Sequence, residues 1–176
     1  MKKNLIVMAL VVAFSGAGLS YALANDTPMP PAEGKEVYAY LTDVSPYQDW
    51  PLFPGTKKLQ EGKHPHGALL TTYVSPSALS AIQERQGQLP VGAFIVKENY
   101  MPDQTLGAIT IMYRVKGYNP AAGDWFWAKY LPDGSLDKNP KGMELAGRVA
   151  KGADQGCIAC HSGSENYLFT NASIGQ

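Results

Sequence analysis

The sequence predicts an α+β fold, predominantly antiparallel β-sheet with a few short helices, and a ligand-bearing segment at its C-terminal end. Three observations predict it. Apolar runs rich in β-branched and aromatic residues recur at strand length, bounded by Gly and Pro. Helical spacing of apolar residues is clear only after Ser75-Pro76. A chain of 176 residues supports one domain with a real core rather than two.

The elements follow in order. Residues 25–49 form an N-terminal lead-in, and its first part, Asn25 to Lys35, is polar and Pro-rich. Glu36 to Thr42 fits a helix or a strand equally well. Ser45 to Gly55 holds Trp50, Phe53 and three prolines, the composition of an ordered loop packed on a core. Gly67 to Val74 is strand-like. Ser75 then offers an N-cap and Pro76 a first-turn residue, and Ala78, Leu79 and Ile82 give the helix a buried stripe. Val91 to Glu98, Leu106 to Val115 and Trp125 to Tyr130 are three further strands, the last closed by the turn Pro132-Asp133-Gly134. On that last strand Trp125, Trp127 and Lys129 share one face, and Phe126, Ala128 and Tyr130 the other. Ser135 to Gly142 is a polar loop, and Met143 to Lys151 reads as a short helix.

Residues 1–24 have the pattern of an export signal. Lys2 and Lys3 precede an apolar run, and Ala22-Leu23-Ala24 fits a cleavage site after Ala24. The expectation is a periplasmic protein with no membrane segment beyond the signal. An uncleaved anchor is the alternative, and both readings put the folded part outside the cytoplasm. Cleavage leaves a net charge of −2, because two lysines and no acids are lost from a balanced 15 and 15. The charges are scattered and no basic run exists, so nucleic acid is not an expected partner.

The only two cysteines lie in Cys157-Ile158-Ala159-Cys160-His161. C-x-x-C-H is the attachment signature of c-type haem. Two thiols add to the two porphyrin vinyl groups, and the adjacent histidine is placed beneath the iron. A redox dithiol would want a βαβ context, and a zinc site would want further ligands. The expectation is one covalent haem c held by Cys157, Cys160 and His161, with His161 as proximal iron ligand.

What fills the second axial position decides function. Only Ser162 to Gln176 follow the motif, and they contain no Met. A sixth ligand must come from upstream, and His64, His66, Met101, Met112 and Met143 are the candidates. None stands in a ligand motif, so an open, five-coordinate iron is expected. With 18 Gly and 13 Pro, the chain is a poor four-helix bundle, which sets it apart from the helical cytochromes c′.

The runs GALLTTYVSPSAL, LPVGAFIVKE, GYNPAAGDWFWAKYLPDG and GCIACH, spanning Trp50 to His161, resemble the cytochrome P-460 family, including cytochrome c′-beta. The GDWFWAKY strand is the most specific of them. The resemblance implies a haem domain over residues 50–176, a mostly antiparallel β fold, a homodimer and a five-coordinate haem. It also implies small nitrogen ligands: hydroxylamine, oxidised with electrons passed to a soluble cytochrome, or NO, bound without catalysis. In hydroxylamine-oxidising members a lysine on the V-K-E strand is linked to a porphyrin meso carbon, and Lys97 occupies that place. Those members carry a distal arginine where this chain has Leu70. That departure implies a less polar pocket and favours NO capture. A simple electron-transfer cytochrome is the third reading.

Other residues carry weaker expectations. Glu98 and Glu144 are candidate proton relays, although glutamates are mostly exposed. Phe94 is a core residue or a wall of the distal pocket. His64 and His66 flank Pro65 in a polar loop and read as surface histidines. Arg114, Lys129 and Arg148 are the candidate partners of haem propionates.

Overall fold

The computed structural model describes residues 28–63, 65–149 and 156–168. The export signal and His64 fall outside them. Among the described residues no helix is long and apolar enough to cross a membrane.

Six strands form one antiparallel sheet in sequence order: β1 (Gln60–Glu61), β2 (Leu69–Val74), β3 (Phe94–Tyr100), β4 (Leu106–Arg114), β5 (Trp125–Tyr130) and β6 (Ala146–Gly147). The four long strands are those the residue pattern predicts, with ends shifted by a few residues. The edge strands β1 and β6 are two residues each, too short to show an alternating pattern. The expected helix after Ser75 is present as α2 (Pro76–Gln83), and the Ser75 hydroxyl accepts from the Ala78 N–H.

Side chains alternate across the sheet and bury two separate clusters. One face carries Val74, Ile95, Met112, Trp125 and Trp127, covered by Ala78, Ala81 and Ile82 of α2. The other carries Tyr73, Phe94, Val96, Ile111, Tyr113, Phe126 and Tyr130. It is covered by α1 (Gly34–Ala39) and the π-helical turn Tyr40–Val44 that continues it. Glu36 to Thr42 is therefore helical. Val37, Leu41 and Tyr47 are almost fully buried, and the Tyr113 hydroxyl donates to the Pro30 carbonyl over 2.9 Å. Much of the lead-in is thus part of the core rather than a prelude to it.

The predicted helix over Met143–Lys151 is absent from its described part. Glu144 bridges Lys138, Ala146–Gly147 pairs with β5, and the Leu145 carbonyl accepts from the Lys129 N–H over 2.8 Å. Gly147 adopts φ 95°, which ends any helix. Met-Glu-Leu-Ala has good helix propensity, but an unpaired sheet edge offers more, and tertiary pairing overrides propensity.

Candidate functional site

The motif folds into one short helix, α3 (Cys157–His161). Residues three and four apart on a helix share a face. Cys157, Cys160 and His161 accordingly line a single cavity of about 950 Å³, near the upper size of a small-molecule site. Cys157 is half-buried and Cys160 exposed, and the two are not joined by a disulfide. Burial pushes the Cys157 thiol up, the opposite of an activated redox thiolate. Among the described residues no three His, Cys, Asp or Glu side chains gather to hold a bare metal ion.

His161 is buried and fixed from two sides. Its ring packs edge-on to Trp127 with centres 4.8 Å apart. Its Nδ1 lies 2.7 Å from the Tyr167 carbonyl oxygen. A carbonyl only accepts, so Nδ1 carries the proton and Nε2 the lone pair. Burial, joined by the charge of Lys97, holds the ring below the usual histidine range, against the pull of the Tyr167 carbonyl. The neutral imidazole is the metal-binding form.

The sheet supplies the cavity floor. Ile95, Lys97 and Asn99 of β3, Thr110 and Met112 of β4, and Trp127 and Lys129 of β5 all line it. Their common direction follows from register: Lys97 is opposite Thr110, and Thr110 is opposite Lys129. Lys97 thus points inward, and burial lowers its pKa. Glu98, next in sequence, points to the other face. Its carboxylate accepts from the Tyr47 hydroxyl over 2.9 Å and from the Tyr100 hydroxyl over 2.7 Å. The expectation that Glu98 relays protons at the haem therefore meets a sheet in between. Glu144 is exposed and borders a different hollow, of about 450 Å³, with Lys35 and Tyr130.

Among the proposed sixth ligands, His66, Met101 and Met112 line the cavity, and Met143 does not. Phe94 stacks on Tyr113 at 4.1 Å between ring centres, in the core of the opposite face. Leu70 is buried beneath Gly62 and is not part of the lining. His66, Lys97, Asn99 and Thr110 bring polar groups into a lining that is otherwise mostly apolar, with Ile95, Met101, Met112 and Trp127 among it. Of the propionate candidates only Lys129 lines the cavity, where it pairs with Asp137 at 2.8 Å. Arg114 binds the Leu89 and Gly123 carbonyls, and Arg148 lies over the Tyr118 ring.

These residues fit a haem. Two thiols and a neutral imidazole project from one helix face into a cavity of matching scale. The buried Trp127 Nε1 on its floor has no hydrogen-bond partner within the protein, as expected where a bound group completes the site. The sequence reading named His66 among the sixth-ligand candidates but took it for a surface histidine, whereas it lines the cavity from a loop between Gly62 and Gly67. A family model described as Cytochrome P460 matches residues 44–170. No curated protein matches the chain.

Proposed function

Because the chain belongs to the cytochrome P460 family, whose members carry haem, we propose that it is an exported mono-haem c oxidoreductase acting on hydroxylamine. Cys157 and Cys160 hold the haem covalently, and His161 is the proximal iron ligand. When bound, haem would supply one-electron redox chemistry and an iron to bind a small nitrogen compound. The observation that carries the reading is Lys97, which enters the same cavity as all three motif residues.

The protein's own groups supply orientation and proton handling. Lys97, Asn99 and Thr110 present donors and acceptors toward a substrate that carries N–H and O–H groups. An apolar trap would suit NO better, and the polar groups set into this mostly apolar lining favour hydroxylamine. Lys97, which lines this cavity, would link to the macrocycle, as the resemblance to hydroxylamine-oxidising family members implies. Electrons leave to a soluble cytochrome, and the protein works as a periplasmic homodimer.

The test is acceptor reduction by the purified holoprotein given hydroxylamine. Steady reduction of a soluble cytochrome or dye is expected, and none would reject the activity. NO capture without turnover is the second reading. Met112 and Trp127 favour it by giving the floor an apolar half. It requires an NO adduct on reduction and no hydroxylamine consumption.

A further inference from the structure

We infer that Asn166 is a positioning residue for the proximal ligand. By tying the turn after α3 to the Gly87 carbonyl, it holds the Tyr167 carbonyl against His161 and so tunes how strongly that ring donates to the iron. The inference rests on the proposed role of His161 as proximal ligand and concerns that side of the iron only.

The turn is bent against local preference. Asn166 has φ 53° and Tyr167 has φ 64°, two consecutive residues in the left-handed region and neither of them glycine. Asn tolerates that region, whereas Tyr rarely enters it. Such conformations persist only where the surroundings over-determine them, and they gather at functional sites. Here the bend brings the chain back to α3, and the Tyr167 carbonyl meets His161 Nδ1 at 2.7 Å.

Three contacts to distant parts of the chain hold the bend. Asn166 Nδ2 donates to the carbonyl of Gly87, 79 residues earlier in the loop between α2 and β3. A carbonyl only accepts, so the amide nitrogen is the atom that faces it. The Tyr167 hydroxyl donates to the Ala121 carbonyl over 3.2 Å, and Leu168 is buried in the cluster that α2 covers. Asn166 is where the left-handed pair begins. Its anchor therefore fixes the direction in which the next carbonyl points.

That direction has a chemical consequence. A ring that donates Nδ1–H to a fixed acceptor gains electron density and becomes a more basic ligand through Nε2. A more basic axial ligand binds the iron more tightly and favours its oxidised form, which lowers the reduction potential. A hydrogen bond weakens steeply once its distance or angle slips. Releasing the anchor should therefore reach the iron through the ring, although Asn166 is not among the residues that line the cavity.

Resonance Raman spectra of the ferrous holoprotein, which read the iron–histidine stretch, and a redox titration test the inference. Asn166→Asp keeps a side chain that tolerates the left-handed region, but its carboxylate cannot donate to the Gly87 carbonyl. Asn166→Gly accepts the bend still more readily and also lacks the donor. In both variants the stretch is expected to move to lower frequency and the midpoint potential to rise. Asn166→Gly is the milder change and decides the matter by itself if Asn166→Asp fails to retain haem. A merely structural Asn166 would lower the urea midpoint and leave both haem readouts where they are. Readouts that stay put or move the other way overturn the inference and leave His161 as proximal ligand. A ferrous wild type with no iron–histidine stretch overturns it together with that assignment.

Discussion

Lys97 and Glu98 are neighbours on β3 that serve opposite faces of the sheet, one entering the cavity with His66 and His161, the other held by Tyr47 and Tyr100. That separation predicts two different phenotypes. Glu98→Gln removes the negative charge of a buried cluster and replaces one of its two acceptor oxygens by a donor, and is expected to cost about 1–3 kcal/mol in urea unfolding. The haem absorption spectrum should not change. Lys97→Met removes the only amine projecting from β3 into the cavity. It should leave urea stability nearly unchanged and alter the spectrum of the reduced protein, with an intact mass that reports any lost linkage. A spectral change in Glu98→Gln would contradict the facing described above.

The strands of this sheet were legible because their cores alternate. Trp125 and Trp127 fall on one face and Phe126 and Tyr130 on the other, as a period of two requires. Lys97 was legible for the same reason. Glu98 was not, because only the partner of a buried carboxylate reveals its purpose, and Tyr47 lies 51 residues away. His66 was hidden by the loop that carries it. H-P-H among polar residues looks like surface, and the closure that buries it depends on Gly62, Gly67 and a bulge in a distant hairpin. Leu70 is paired with Asn99 and shares its sheet face, yet its side chain lies against Gly62 and stops short of the lining.

The covalent attachment predicts a graded loss. With either Cys157→Ser or Cys160→Ser, one thioether remains and haem should stay with the chain under acidified solvent extraction. With both replaced, the haem should extract completely while His161 still occupies the cavity. Intact mass of each variant checks the count of bound haem. Extraction of the wild-type haem would reject covalent attachment outright.

Gly67→Ala tests the loop without touching a ligand. The added methyl group meets main-chain atoms of β3 at 2.5 Å, which cannot rotate aside. Overpacking of this kind typically costs about 1–3 kcal/mol. The loop should lift, and His66 with it, so the haem absorption spectrum should shift from that of wild type. A Gly55→Ala control has open space around the new methyl group, and its backbone strain lies far from the ring. It should leave the haem spectrum as in wild type.

The tyrosine-rich face predicts an alkaline limit to stability. Burial, helped by the Glu98 carboxylate, pushes Tyr73 up to about 12, and burial pushes Tyr113 up to about 12. Tyr47, Tyr100 and Tyr130 are raised further, again chiefly by burial. An unfolded chain ionises tyrosine near pH 10, so between about pH 10 and 12 the unfolded state holds fewer protons than the folded one. The sign follows: stability is complete below pH 10 and falls as pH rises, by up to about 1.4 kcal/mol per pH unit for each such tyrosine. Urea midpoints followed by circular dichroism from pH 8 to 11.5 should be level at first and then drop steeply. Tyr113→Phe forfeits its bond to the Pro30 carbonyl, about 1 kcal/mol at neutral pH, yet should flatten the alkaline slope. The two effects have opposite signs along the pH axis, so the wild-type and variant curves should converge as pH rises. Parallel curves would mean that Tyr113 does not stay protonated in the folded protein.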